Sequence, residues 1–571
     1  MATDAQSIEL PKKLRFAVMC AGSELPAAHA RCVEEVLAVK GVELALLIVE
    51  TSSPIKSSSG LQRRPIFPFT NLWTLHARSL RDQRLPYHRP VEMSRVFASV
   101  STVNASQFGE FNQFRPEDIA SIGQYDLDFI LRFSHGVLRG DILKAARYGV
   151  WAFHYGDETR FPGPAAFWEI YHGVAVTGAN LHRLTDDPPD RVWLLQKGFI
   201  ATRRASHEEN LDAIMWATTY MPARVCRDIF QDRASYLKES PKLTLAPTFR
   251  TPTDFEMLWY LLATTLTWLK KQFQSIFFLE DWNVGVVTKP VHKFLDHDFR
   301  PTVQWLAYKR NDAFLADPFL LKVGSRLKLL AEEFDYHINR GYIVEGELKN
   351  NGRTAPSFRK VLDEGVHMSY PFLFEHKGIS YCMPEAALKR GVFLYVFSAE
   401  DERLTPAATL ISDFAAVDPT ILEYRGRWWL FCTNLDDEAL SKLFLWHAPT
   451  LLGPWEPHAA NPVKMDVRSS RPAGRPFLFE GQLYRPAQDC SMTYGGGVTI
   501  NKVTALTTQE FSEEPAVRIA PIWKSPYRAG IHTLDCKDSI TVIDGKRLVF
   551  APKFAMHRIK HKLRKLGAQE E

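Results

Sequence analysis

The sequence predicts a multidomain chain in which an α/β Rossmann-like domain precedes an all-β five-bladed propeller, and three observations carry that reading. A polar residue and a proline lead into a short apolar run at Asp317-Pro318, Tyr370-Pro371, Asp418-Pro419 and Arg475-Pro476, at steps of 53, 48 and 57 residues. A period near fifty built from short hairpins is that of propeller blades. The lead-ins at Tyr370 and Asp418 are each followed by a charged turn (His376-Lys377-Gly378, Tyr424-Arg425-Gly426-Arg427) and an aromatic strand, which is a β-hairpin. Upstream, residues 14–21 (LRFAVMCA), a helical period over 28–39 and a second apolar run over 42–49 form an opening βαβ unit.

Bulk properties narrow the class. An apolar fraction of 46% in 571 residues suits a globular chain of two or more domains. A net charge of +5 does not call for nucleic acid as a partner. The seven cysteines are scattered with no CxxC pair, and residues 1–11 lack a basic start and an apolar core. Reduced thiols in the cytoplasm are the expectation.

In chain order, 52–94 is rich in proline, serine and arginine and is expected to be an irregular surface excursion. A strand over 126–132, a helix over about 139–147 and a strand over 149–154 ending on His154 follow. Next come a loop over 154–163, a helix over 165–172 and a further strand. A helix is predicted over 208–219, and 223–252 looks like a linker into a helix that starts at Asp254, its N-cap. That helix is expected to bury Met257 and the later aromatics. Its most apolar run, 257–269, is shorter than the roughly twenty residues needed to cross a bilayer. The strand over 282–287 is expected to close the ring against a fifth unit, 530–550. The domains are therefore placed at 12–220, 221–280 (linker and helix), 281–552 and 553–571. The last is a basic tail whose Phe554, Ile559, Leu563 and Leu566 share one helical face and could rest on an anionic membrane.

Residues 125–199 resemble the formyltransferase N-terminal domain, through the strand ending at His154, the loop that follows it and the stretch Gly173-Val174-Ala175-Val176-Thr177-Gly178. The resemblance implies 10-formyltetrahydrofolate as cofactor, with His154 and Asp190 catalytic. The family's asparagine is Ala152 here, and the glycine after its aspartate is Arg191. Losing one oxyanion donor costs roughly 10²–10³ in rate, so the domain is expected to be degenerate.

In a propeller the residues leading into the innermost strands converge on one funnel. These are Asp317, Tyr370, Asp418, Arg475 and, in the fifth unit, His532 or Asp535. Glu385 and the stretch from Arg485 to Asp489 follow second strands and join the rim. Residues 281–550 resemble the N-terminal propeller of the glucosamine inositolphosphorylceramide transferase family, related to furanosidase-type glycoside hydrolases. The resembling motifs include 369–386, 417–434, Gly453-Pro454-Trp455 and 471–475. No stretch resembles that family's separate nucleotide-sugar glycosyltransferase domain.

Three carboxylates suit glycosidic chemistry, with Asp317 as base, Glu385 as acid and Asp418 as modulator. Arg471, Arg475 and Arg485 suit a phosphate or uronate, beside Tyr370, Asp489, His532 and Asp535 as substrate-binding residues. An Asp-Pro can also merely cap a turn, and Tyr370, Trp428 and Trp429 fit packing roles. No metal site is predicted. The expected function is a carbohydrate-active enzyme of glycan or glycolipid biosynthesis acting on a sugar, phosphosugar or glycolipid. The expected location is the cytoplasm or the inner membrane surface. The alternatives are a sugar N-formyltransferase with the propeller as recognition module, and a non-catalytic glycan-binding scaffold.

Overall fold

The computed structural model describes residues 13–52, 71–82, 86–108, 113–134, 138–157, 163–186, 191–243, 250–308, 310, 312–349, 357–398, 403–556 and 558–559. The chain divides into two compact units, Met1–Thr267 and Trp268–Glu571.

The first unit is built on a nine-stranded sheet. At its centre Leu14–Cys20 pairs in parallel with Val42–Ser52 on one side and Phe129–Arg132 on the other. Outward from these, Ser101–Phe108 and Val150–Tyr155 extend the parallel part. Val176–Arg183 and Arg191–Ala201 then turn antiparallel. Parallel strands are covered on both faces, which is why 14–20 reads as one apolar run and buries Leu14, Phe16, Val18 and Met19 completely.

Several elements differ from the sequence expectations. The helix over 139–147 is a single turn, Asp141–Lys144, and the one over 165–172 contracts to Trp168–Tyr171. The excursion over 52–94 carries the helix Leu72–Asp82 and the strand Pro90–Glu92, which pairs with Glu24–Pro26. The expected linker contains the helix Met221–Phe230, which buries Met221, Val225 and Cys226. Pro222 sits in its first turn, where no intrahelical N–H is needed.

The helix Asp254–Phe277 is capped by Thr253 rather than Asp254. The Glu256 N–H donates to Thr253 Oγ1 at 3.3 Å, and the Thr253 N–H donates back to Glu256 Oε2 at 2.9 Å, a reciprocal capping box. Met257 and Tyr260 are buried, but Trp259, Trp268 and Phe273 are exposed, against expectation.

The second unit is a ring of five four-stranded blades, the third carrying an added short strand. Ala313–Val323, Ser369–His376, Ala416–Tyr424, Phe477–Phe479 and Leu534–Lys537 begin the five antiparallel runs. As the sequence predicts, the last blade is completed from the other end of the ring. Phe278–Val287 pairs antiparallel with Ile540–Phe550 along its whole length.

Three of the four X-Pro lead-ins share one distortion. Asp317, Tyr370 and Asp418 have φ of 51°, 45° and 48°. The ladder slips at each: between Ala316 and Phe319, Ser369 and Phe372, and Val417 and Thr420. A left-handed residue followed by proline makes a bulge, which turns one side chain out of the blade and toward the axis. Such conformations cost of order 1–3 kcal/mol each and persist where the surroundings fix them.

Candidate functional site

A cavity of about 810 Å³ opens at one end of the ring. Asp317, Glu332, Glu385, Arg471, Tyr494, His532 and Lys546 line it. These come from the starts or second strands of four blades, and from the loop Ser491–Gly497 within the fourth.

Asp317 is almost wholly buried and tightly held. Thr533 Oγ1 donates to its Oδ1 at 2.6 Å and the Tyr370 N–H to its Oδ2 at 3.2 Å. His532 Nε2 lies 3.6 Å from Oδ1, while His532 Nδ1 lies 2.5 Å from Asp544. Asp544 in turn accepts the N–H groups of His532, Thr533 and Asp317. Burial pushes the Asp317 carboxyl up to about 6, against the pull of the neighbouring imidazole. Burial alone would lower His532, but the carboxylates of Asp544 and Asp317 outweigh it and raise it. The ring of Trp282 stacks on His532 at 4.1 Å. Asp317, His532 and Asp544 bring ligand-type atoms within 4.8 Å of one another, a grouping the sequence reasoning did not foresee. Asp544 already accepts three backbone N–H groups, and the His532 ring stands between it and Asp317 at ion-pair distance from both.

Asp418 sits behind the cavity wall. Arg471 Nε donates to its Oδ2 at 2.6 Å, as does Gln488 Nε2 at 2.7 Å. The Asp418 N–H donates to Glu385 Oε2 at 3.1 Å, and Arg471 Nη2 stands 3.9 Å from that same oxygen. Burial, then the Asp418 charge, holds the Glu385 carboxyl well above the usual carboxylate range. Glu332 is held similarly high by burial and by Asp317, Glu385 and Asp418. For Arg471, burial is outweighed by Asp418, Tyr494 and Glu385, which keep the guanidinium charged.

Sequence reasoning missed Glu332, although a signal for it existed. Glu332 pairs with Ala316, the residue before Asp317, just as Glu385 pairs with Ser369, the residue before Tyr370. Laying the second strands of the blades over one another places both acids at one position.

The remaining expected residues fall elsewhere. Tyr370 is fully buried, its hydroxyl 2.9 Å from Thr420 Oγ1 and accepting the Gly474 N–H at 2.7 Å. Trp428 and Trp429 are buried in the blades. Arg475 pairs with Asp535 at 2.8 Å, and Asp535 accepts the Leu320 N–H, so the two brace neighbouring blades. Arg485 forms a buried fork with Glu513 and donates to the carbonyls of Ser469 and Ser470. Asp489 accepts from Ser491 and pairs with Arg518 at 2.7 Å. Tyr370, Arg475, Arg485, Asp489 and Asp535 are all absent from the cavity lining.

In the first unit, His154 pairs in register with Asn180, and its ring lies 5.6 Å from that of His182, whose pKa burial pushes down to about 3. Ala152 offers no hydrogen-bonding side chain beside His154, so the residues described do not fit a formyl-group site. Asp190 lies outside the described residues.

One stability prediction follows from Asp317. Its folded pKa of about 6 lies above its unfolded value of 3.8, so the fold favours the protonated form. That contribution is whole below about pH 3.8 and is lost as the pH rises through about 6. In Asp317→Asn, the amide oxygen keeps the Tyr370 N–H and the amide nitrogen can donate to Thr533. The variant is expected to match the parent near pH 4 and to exceed it by roughly 1–3 kcal/mol at pH 7.5. Denaturant melts at the two pH values check this, and an equal difference at both would contradict the buried-charge account.

Residues 304–528 match the family described as glucosamine inositolphosphorylceramide transferase 1, N-terminal. The glucosamine inositolphosphorylceramide transferase 1 of Oryza sativa subsp. japonica is 37% identical over 207 residues, covering 35% of this chain and 28% of the rice protein. That of Arabidopsis thaliana is 31% identical over 261 residues, covering 43% and 34%. The chain thus spans about a third or less of these relatives. Among solved structures, a thermostable family-43 glycoside hydrolase aligns at 15% identity with a TM-score of 0.30, over 40% of this chain and 82% of that one. A family 117 glycoside hydrolase from Zobellia galactanivorans aligns at 14% with a TM-score of 0.31, over 47% and 91%. The propeller of this chain is therefore similar, over most of its length, to the N-terminal module of the glucosamine inositolphosphorylceramide transferases.

Proposed function

We propose that the propeller funnel is a carbohydrate-active site that makes or breaks a glycosyl bond in a phosphosugar or glycolipid. The observation that carries this reading is the unlike surroundings of Asp317 and Glu385 in one cavity. Asp317, with the His532 ring and a threonine hydroxyl near its oxygens, is raised by burial to about 6 and is largely ionised at neutral pH. Burial and the Asp418 charge raise the Glu385 carboxyl well above the usual carboxylate range, which favours its protonated form. Two carboxyl groups pushed apart in this way supply a base and an acid. Asp317 takes the proton of the attacking hydroxyl as its oxygen bonds to the anomeric carbon, and Glu385 gives its proton to the departing oxygen. Asp418 orients Glu385 through its N–H and raises it through its charge. Arg471, charged and lining the cavity, is placed for a phosphate or carboxylate on the sugar.

The α/β unit is assigned no reaction, since Ala152 removes the donor that formyl transfer needs. Similarity of the propeller to a glycolipid transferase module supports the reading, while transfer or hydrolysis by this chain is tested directly. Full-length protein is incubated with a panel of glycosyl phosphates, nucleotide sugars and glycolipids, and product is followed by mass spectrometry. Turnover of one class, lost by at least about 10²-fold in Asp317→Ala, is expected. Equal turnover by Asp317→Ala and the parent would remove Asp317 from the chemistry.

A further inference from the structure

The rim of the funnel is joined to a surface that is both apolar and basic. Phe278 and Leu548 line the cavity mouth, together with Gln274, Ser275 and Arg558. Next to them Phe273, Phe277, Phe278 and Phe550 form a chain of ring contacts at 4.9–6.2 Å. Phe273 is 52% exposed, Phe550 58% and Trp268 50%, and Met556 is exposed as well. Phe273 and Phe550, exposed and joined through Phe277 and Phe278 beside the cavity mouth, mark a contact surface rather than ordinary solvent-facing structure.

Basic side chains predominate along the two segments at this end. Lys270 and Lys271 are exposed between Trp268 and Phe273, and Lys553 is exposed just beyond Phe550. No acid occurs from residue 257 to 279 or from 551 to 569. Glu280, which ends the first stretch, faces Lys546 at 3.3 Å. Arg558 donates to the carbonyl oxygens of Ser275, at 3.0 Å, and Phe278, tying the start of the basic C-terminal segment to the end of the helix. From Ile559 the sequence continues Lys560-His561-Lys562-Leu563-Arg564-Lys565-Leu566. In sequence that stretch holds three lysines, an arginine, a histidine and two leucines. No helix among the described residues is long and apolar enough to cross a bilayer. Aromatic and aliphatic side chains beside lysines, without acids, instead match a segment lying in the interface of an anionic membrane.

We propose that this rim docks on an anionic lipid surface, placing the mouth of the funnel at the bilayer so that it takes a sugar carried on a membrane lipid. The proposal rests on the carbohydrate reading of the funnel and narrows its substrate to a lipid-borne one. Exposed aromatics enter the headgroup boundary, while Lys270, Lys271 and Lys553 neutralise lipid phosphates. A sugar on a lipid headgroup then reaches Asp317 and Glu385 without its acyl chains leaving the bilayer.

The test is flotation of the full chain with vesicles of phosphatidylcholine alone and with added phosphatidylglycerol, alongside light scattering for oligomeric state. Binding to the anionic vesicles only, weakening with salt, is expected. Lys270→Glu/Lys271→Glu should weaken it by at least about tenfold, since each cation near an anionic surface contributes about fivefold. Trp268→Ser/Phe273→Ser should weaken it comparably, and all four positions are exposed, so the fold should hold. Asp317→Ala should bind like the parent, which separates docking from chemistry. Absence of binding to anionic vesicles while the parent turns over a soluble glycoside would overturn the docking proposal alone. So would a dimer that Trp268→Ser/Phe273→Ser converts to monomer without any vesicle binding, because the face would then belong to a second copy.

Discussion

Replacing Glu385 with glutamine is expected to cut turnover at the propeller funnel by roughly 10²–10⁴-fold, the usual range for a positioned acid or base. The fold should remain, because the amide oxygen can still accept the Asp418 N–H that now reaches Glu385 Oε2 at 3.1 Å. What is lost is the proton. A substrate with a good leaving group needs no protonation at departure, so Glu385→Gln should turn over an aryl glycoside far closer to the parent rate than a natural glycoside. The parent's activity should fall on the alkaline side as Glu385 ionises, and that limb should vanish in the variant. Glu332→Gln is the control: Glu332 shares the cavity and is likewise held protonated by burial and its neighbours. If Glu332→Gln shows the leaving-group dependence and Glu385→Gln does not, the acid is Glu332. Equal losses on good and poor leaving groups would remove both from proton transfer.

The second large effect is expected at Gly474. Its φ is 123°, and a Cβ built there would stand 1.8 Å from the Leu534 carbonyl oxygen and 2.8 Å from its carbon. The Gly474 N–H also donates to Tyr370, so the backbone cannot swing away without losing a buried bond. Gly474→Ala combines a disfavoured conformation with a clash against backbone, and the two together are expected to cost roughly 3–5 kcal/mol. The ring should melt at clearly lower denaturant concentration, with funnel turnover lost in parallel. A midpoint shift corresponding to less than about 1 kcal/mol would mean that the contact between the fourth and fifth blades relaxes freely.

The propeller was the more legible unit, for a reason visible at Asp317, Tyr370 and Asp418. Each bulge needs a left-handed residue and a proline at fixed places, so the distortion leaves a mark in the sequence. The closing strand was readable because 282–287 is an apolar run just ahead of the first lead-in. Glu332 and Asp544 left no such mark. They sit in second strands, where an acid looks the same whether it faces the funnel or solvent, and only the pairing of Ala316 with Glu332 or of Leu534 with Ile543 reveals the side.

The rim arginines were read by chemistry rather than by geometry. Arg485 is spent on Glu513 and two carbonyls and the half-buried Arg475 on Asp535, because guanidinium groups are equally useful for tying blades together. In the α/β unit, Met221–Phe230 looked like a linker because Pro222 and three arginines or aspartates interrupt its apolar period. The helix Asp254–Phe277 misled in the opposite sense. Apolar residues surround it, so its period could not say which face is covered, and Trp259 and Trp268 lie outward.

The pairing of Phe278–Val287 with Ile540–Phe550 has a bearing on how the protein is made. During synthesis the first of these strands emerges some two hundred and fifty residues before its mate, so it must wait on the ribosome while four blades accumulate beside it. An incomplete ring exposes a strand edge at each end. A chain stopped short of residue 540 would keep those edges open and would also lack Asp544 and Lys546, so loss of this strand should damage the newborn ring and the funnel together.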